Sequence, residues 1–414
     1  MASLRHAQTT GQSVLAGKLA RGERARKLTA LSLIAPLFLL LVCVFGVPIL
    51  AVLYYSVDNP LIGKVLPQTT AAMAEWDGRA LPGDAAFDAF AADAKLAYKA
   101  KTIARAALRL NYEIAGFRSM TMKAARRIHR FKGASIKEEL IALDKRWGDI
   151  VYWRAIKDAS ASYTPRYLLA AVDLELTWGQ GIVQVEENRR IYLAYLMETF
   201  WISAVVVLLC VVIGYPIAYL IATSKPAKQR ILFILILIPF WTSLLVRTAA
   251  WVVLLQNQGM VNDFLIWLGV TDQPFEMIFN RFGVYVAMVH ILLPFMVLPV
   301  YSVMKSISTD YMRAAASLGA RPVSAFLSIY LPQTIPGLGA GCLLVFVISL
   351  GFYITPALVG GRSDQMVASL IAQFALGTAN WGMAAALAVV VLVCVAAIYP
   401  IYHRFAGGDR MKLN

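Results

Sequence analysis

Six stretches of this chain are long and apolar enough to cross a lipid bilayer as helices, at residues 28–57, 193–222, 231–255, 284–303, 337–359 and 383–402. A spanning helix needs about 20 such residues, because each rises about 1.5 Å through a hydrocarbon core of about 30 Å. In that medium an unpaired backbone amide has no water to turn to, so only helices and closed barrels cross it. Runs this long are helical runs. With 59% hydrophobic and 15% charged residues and a mean hydropathy of +0.64, the chain is too apolar for an ordinary soluble protein. The expected fold is all-α and polytopic, with six transmembrane helices.

Where the charges sit decides orientation. Lys and Arg next to a span are retained on the cytoplasmic side. The first 27 residues carry Arg5, Lys18, Arg21, Arg24, Arg26 and Lys27. That leader is too long and basic for a cleaved signal peptide, so the first span is expected to stay. Lys225, Lys228 and Arg230 follow the second run, Lys305–Arg321 is basic, and His403, Arg404, Arg410 and Lys412 close the chain. The connections 256–283 and 360–380 carry little positive charge, and in a six-span count they fall on the opposite side. Both termini are therefore expected in the cytoplasm, with a tail at 1–27 and another at 407–414. Cys43, Cys210, Cys342 and Cys394 all lie inside apolar stretches, with no spacing that suggests a disulfide or a metal cage.

This topology leaves residues 58–191 outside as an insertion, charged and alanine-rich. Its apolar positions Ile103, Ala107, Leu110, Ile114, Phe117, Ala124, Ile128 and Phe131 recur mostly at steps of three and four, which predicts one amphipathic helix, or two broken near Gly116. Arg105, Arg109, Arg118, Arg126, Arg127 and Arg130 fall mostly on other faces. They read as a solvated basic face over a small helical core, or as a docking surface for a soluble partner. No nucleic-acid recognition module is present, so the net charge of +15 does not point to that partner.

Between the fourth and fifth runs the chain reads Asp310-Tyr-Met-Arg-Ala-Ala-Ala-Ser-Leu-Gly319-Ala-Arg-Pro-Val-Ser-Ala-Phe-Leu-Ser-Ile329-Tyr-Leu331-Pro332. Alanines lead into a glycine that permits a turn, and Pro322 suits the first turn of a following helix. A short helix, a turn and a second short helix are expected on the cytoplasmic face, within 305–335. The spacing resembles the cytoplasmic signature loop of binding-protein-dependent ABC importer permeases, in which Glu-Ala-Ala is followed by a glycine and then by Ile-x-Leu-Pro. Ala314, Ala315, Gly319, Ile329, Leu331 and Pro332 match that pattern at its spacing, Arg313 stands where the family usually has glutamate, and the resemblance implies that these residues, with Ala320, form the ATPase-coupling loop. Three further stretches, Ile238-Pro-Phe-Trp-Thr-Ser-Leu-Leu-Val-Arg-Thr-Ala-Ala-Trp251, Leu293-Pro-Phe-Met-Val-Leu-Pro299 and Ile354-Thr-Pro-Ala-Leu-Val-Gly-Gly361, look like the polyamine (spermidine/putrescine) branch of the same permeases. The resemblance covers roughly 192–406, a five-helix core. It implies a MetI-like permease fold, an ATPase cleft that receives the loop, a second permease subunit, two ATPase subunits and a periplasmic binding protein. The solute it implies is a polyamine or another small nitrogenous compound, such as an opine or amino-acid derivative.

Several residues in the spans are candidates for lining a path. A buried arginine needs an aqueous cavity or a partner charge, so Arg247 is the most informative of them, unless it snorkels to the interface. Trp241 and Trp251 flank it and either hold an ammonium by cation–π attraction or belong to the interfacial belt. Thr242, Tyr353 and Thr355 offer hydroxyls near expected helix breaks, although such groups also serve packing. Pro239, Pro294 and Pro299 are expected to interrupt helices. His290 has no acidic partner in view and reads as a hydrogen-bonded packing residue. No Gly-x-x-x-x-Gly-Lys-Ser/Thr loop, zinc spacing or nucleophile elbow occurs, so no enzymatic activity, cofactor or metal is expected of this chain, and ATP hydrolysis falls to separate subunits. Two alternatives are an ion-gradient-driven transporter, which should show repeated halves, and a membrane-anchored receptor working through 58–191.

Overall fold

Where prolines and glycines fall in the apolar runs decides which runs become single helices. The computed structural model describes residues 26–27, 29–131 and 135–406. The basic residues Arg5, Lys18, Arg21, Arg24, Arg410 and Lys412, the side chains of His403 and Arg404, and the tail 407–414 lie outside them.

Residues up to Tyr54 make one unit and the rest of the chain another. In the first, helix α1 (Thr29–Tyr55) passes through a π turn at Val42–Gly46 and exposes large apolar side chains on every face. A helix apolar all round is covered by lipid or by protein, not by water.

The second unit begins with α2 (Leu61–Val65), α3 (Pro67–Glu75), α4 (Asp84–Lys99), α5 (Ile103–Glu113), α6 (Phe117–Arg127), α7 (Ile136–Leu143), α8 (Ile150–Ser160) and α9 (Arg166–Ala170). Their core is aromatic. Phe87 meets Trp153 at 4.4 Å between ring centroids, Phe90 meets Trp147 at 4.5 Å, and the two tryptophans are 5.6 Å apart, tilted as their quadrupoles prefer. The stripe from Ile103 to Ile128 packs into this core and breaks in two at Gly116. Arg109 is an exception to the expected solvated face, being only 4% exposed, because it leaves the outward side of α5 for a buried ionic network. A two-stranded hairpin, β1 (Leu174–Thr177) with β2 (Gly181–Gln184), pairs Leu174 with Gln184 and is absent from the all-helical expectation for this segment.

Gly116 adopts φ +87°, and its carbonyl accepts from Arg146 Nη1 at 3.1 Å. Arg146 in turn forks onto Asp144 through Nε at 2.9 Å and Nη2 at 2.8 Å, and these bonds hold the Asp144 carboxyl below the usual carboxylate range. A side chain at position 116 would meet Arg146 Nη1 at 3.0 Å in a left-handed backbone. Gly116→Val is therefore expected to destabilise the chain by about 1–3 kcal/mol, and Gly116→Asn by less, as read in thermal melts. Equal melts for the two variants would argue against backbone strain as the cause.

Then come α10 (Tyr192–Thr223), α11 (Pro226–Leu237), α12 (Leu244–Leu255), α13 (Met260–Trp267), α14 (Arg281–Ser306), α15 (Asp310–Ser317), α16 (Pro322–Leu350), α17 (Ile354–Val359), α18 (Val367–Ala372) and α19 (Trp381–Ala406). Helices α10, α14 and α16 form the central packed core, with Val206, Met288, Leu292, Met296 and Val345 inaccessible to solvent. Glycines set how closely they approach. A Cβ on Gly214 would lie 2.9 Å from Met296 Cγ, one on Gly337 2.8 Å from Val303 Cβ, and one on Gly341 2.8 Å from Met296 Sδ. Gly337 and Gly341 form a small-xxx-small pair, the device by which membrane helices pack without a hydrophobic driving force.

Three span expectations change. The third run, expected as one helix over 231–255, is a pair of helices bent by 100° around a tight turn at Ile238–Trp241. Pro239 cannot donate to the ladder, and Thr242 Oγ1 donates to the Pro239 carbonyl at 2.9 Å, so the break is closed locally. Pro294 and Pro299, by contrast, do not interrupt α14, which runs from Arg281 to Ser306 while packed by α10 and α16. Such packing is what lets a spanning helix tolerate proline. The fifth helix starts at Pro322 and stops at Leu350, 15 residues before the expected start and 9 before the expected end (337 and 359), because Gly351 ends it and Ile354 opens the separate α17.

Candidate functional site

The loop between α14 and α16 is a helix–turn hairpin closed by backbone hydrogen bonds. The Gly319 N–H donates to the Ala316 carbonyl at 3.0 Å and the Ala320 N–H to the Ala315 carbonyl at 3.0 Å, with Gly319 at φ +80°. This double closure with a left-handed glycine is a Schellman motif, which satisfies the last carbonyls of α15 and reverses the chain. Ala315 is buried beneath it, while Ala314 is exposed. Pro322 then starts α16, which passes through a π turn at Phe326–Tyr330 that holds Ile329 and immediately precedes Leu331 and Pro332. The second arm is thus not the short helix expected but the first part of a 29-residue helix that continues into the span. Arg313 lies 79% exposed in its side chain and 3.5 Å from Asp310, a surface pair of small worth. Leu318 is 88% exposed at the tip, and Tyr311, Val323 and Leu327 are exposed beside it. Apolar groups gathered on a rigid polar-flanked tip are a feature of surfaces that meet another protein.

The residues singled out for a path fall into separate surroundings. Arg247 and Trp251 lie one turn apart on α12, and Trp251 Nε1 donates to His290 Nδ1 of α14 at 3.1 Å. The histidine read as a packing residue thus has its hydrogen bond, to a tryptophan. Arg247 Nε is buried with no hydrogen-bond partner among the described residues. Thr355 is fully buried, and its hydroxyl meets that of Thr248 at 3.1 Å, a contact that ties α17 to α12. Thr242 is spent on the Pro239 carbonyl, Tyr353 is 39% exposed at the start of α17, and Trp241 is 90% exposed at the bend. Of the six, Arg247 keeps unused donor capacity in a buried place.

Two ionic devices escaped the reading of the sequence. Arg281 at the start of α14 reaches Glu198 of α10 at 2.6 Å and Asp364 at 3.1 Å, and the nearly buried Asp364 also accepts from the Gly361 N–H at 2.9 Å. One guanidinium therefore fastens α10 and the loop after α17 to α14. Asp173, at φ +55° and 1% exposed, accepts from the N–H groups of Ile191, Tyr192 and Leu193 at 2.8–3.2 Å. A carboxylate there neutralises the orphan donors of α10 and complements its dipole. Their partners lie far apart in the sequence, so no local spacing marked them.

The helical core at 191–407 is that of a transport-system permease. The chain belongs to the family of binding-protein-dependent transport system inner membrane components, whose model matches residues 191–407, and is a multi-pass membrane protein of that class. It is 33% identical over 214 residues to the spermidine/putrescine transport system permease protein PotB of Escherichia coli (strain K12), covering 52% of this chain and 78% of that one. It is 31% identical over 248 residues to the PotB protein of Haemophilus influenzae, covering 58% and 87%. A solved bacterial alginate ABC transporter in complex with an alginate-bound periplasmic protein aligns with a TM-score of 0.43 at 17% identity, over 54% of this chain and 80% of that one.

Proposed function

We propose that this permease subunit carries a small nitrogenous solute, of the polyamine or amino-acid-derivative class, across the inner membrane under the drive of separate ATPase subunits. The observation that supports it best is the hairpin: a Schellman-closed helix joined to an arm that runs on, through the π turn at Phe326–Tyr330, into a spanning helix. A rigid pair seated in a moving cleft transmits displacement, whereas a flexible connector would absorb it. In this reading the 305–335 segment and both termini face the cytoplasm, residues 58–191 face the periplasm, and a second permease subunit completes the pore. One of two ATPase subunits takes up Leu318 and its apolar neighbours, and a binding protein delivers solute from outside. ATP-driven closure then switches the spans between inward-open and outward-open states. The relatives named for spermidine and putrescine support the solute class.

A photo-crosslinker at position 318 of the assembled complex tests the docking. It is expected to capture an ATPase subunit from the cytoplasmic side, and capture only of periplasmic or lipid partners would end the proposal. The unpaired Nε of Arg247 gives a second check on the path. Arg247→Ala is expected to change uptake by about tenfold, on the scale of one lost charge-assisted hydrogen bond, with complex assembly intact by size-exclusion chromatography. Unchanged uptake would return Arg247 to an interfacial role.

A further inference from the structure

Helices α5, α8 and α9, the β-hairpin and the first turns of α10 and α19 line a half-open cavity of about 530 Å³, a volume that suits a small metabolite. Four of the eight charged residues in its wall, Arg109, Glu113, Asp158 and Arg166, pair with one another, and Asp173 is spent on the start of α10. Arg109 Nη1 donates to Glu113 at 2.7 Å, Arg166 donates to the other oxygen of Glu113 at 3.1 Å, and Arg166 also pairs with Asp158. Trp178 Nε1 donates to the same Asp158 carboxylate at 2.8 Å. Burial pushes the Asp158 carboxyl above its ordinary range while the Arg166 charge opposes that.

Four groups stand outside this closed account. Arg109 Nη2 is buried without a hydrogen-bond partner, on a side chain 4% exposed that lines the cavity. Arg154, whose Nε donates to the Gly78 carbonyl at 2.8 Å, Glu175 on β1 and the exposed Arg189 also line it and enter none of the ion pairs above. The wall therefore offers unspent positive donors and one unspent carboxylate, with the face of Tyr167 already occupied by Arg109 at 5.1 Å. A buried guanidinium N–H without an acceptor is costly, and a ligand oxygen would remove that cost.

We infer that this cavity binds a small zwitterion, a molecule carrying one carboxylate and one amine, with the carboxylate on Arg109 and Arg189 and the ammonium on Glu175. A diamine or a dicarboxylate would bring in charge that the self-neutralised wall cannot compensate, whereas a zwitterion brings none. This goes beyond the transport reading and stands apart from the path residues, which lie in α12, α17 and the bend at Ile238–Trp241.

Calorimetry on the full chain in lipid nanodiscs, with three probes of equal length, tests it. The probes are 5-aminopentanoate, 1,5-diaminopentane and pentanedioate. The zwitterion is expected to bind saturably, and the other two at least about tenfold more weakly, the scale of one uncompensated charge-assisted contact. Glu175→Gln and Arg189→Gln should each weaken the zwitterion by about tenfold, with thermal melts unchanged in the absence of ligand. Equal or tighter binding of the diamine or the diacid, no saturable binding of 5-aminopentanoate, or variants that fold and bind it as the parent does would each overturn the inference.

Discussion

A Gly319→Val chain is expected to fold and insert, yet to leave solute uptake uncoupled from ATP hydrolysis in the assembled complex. Nothing lies within 4 Å of a Cβ built on Gly319, so the substitution creates no clash and acts through the backbone alone. At φ +80° a β-branched residue is strained by about 1–3 kcal/mol. The chain escapes that strain by giving up the left-handed turn and with it the two bonds to Ala315 and Ala316. The arms of the hairpin then lose their fixed angle, and on the coupling role proposed for the loop the ATPase moves without moving the spans. Uptake should fall by about tenfold or more, the factor that such a strain implies for the competent conformation, while ATPase activity persists. Gly319→Asn is the control, because asparagine tolerates this conformation, and should retain most uptake. Both quantities are read in proteoliposomes, and tight coupling in the valine variant would sink the coupling assignment.

Gly337→Leu is expected to prevent the core from forming. A Cβ at this position would stand 2.8 Å from Val303 Cβ and 3.0 Å from the Pro299 carbonyl oxygen. Neither neighbour is the free end of a flexible side chain, so α14 and α16 must separate. That forfeits contacts along both helices, a cost of at least about 3 kcal/mol for overpacking of this severity. The measurement is the yield of monodisperse chain and its melting temperature, beside Ala340→Leu, which changes an exposed position on the same helix. A well-folded Gly337→Leu with Ala340→Leu equally mild would mean that α14 and α16 do not approach this closely in the membrane.

The two predictions act on one helix. Gly337 lies 15 residues beyond the start of α16, whose first turns are the second arm of the hairpin. A variant that loosens the core would also loosen the arm, so a loss of coupling at Gly337 is expected only together with a loss of stability. At Gly319 coupling should be lost with stability kept, and that contrast separates transmission from folding.

Much of this protein was legible from its residues because the causes are local. The number of apolar runs follows from bilayer thickness, the break at Gly116 and the hairpin at Gly319 from the conformations open to glycine, and the family resemblance from spacing within one loop. Tertiary structure decided the rest. Pro239 marks a bend while Pro294 and Pro299 do not, because tolerance of proline depends on which helices lie alongside. Arg109 is buried, Asp173 caps a helix that starts 19 residues later, and Arg281 joins residues 83 positions before and after it, because each charge found its partner through the fold. Periodicity records which face of a helix is apolar. It holds no record of which other face will come to meet it, and charge pairing in a low-dielectric interior depends on that meeting.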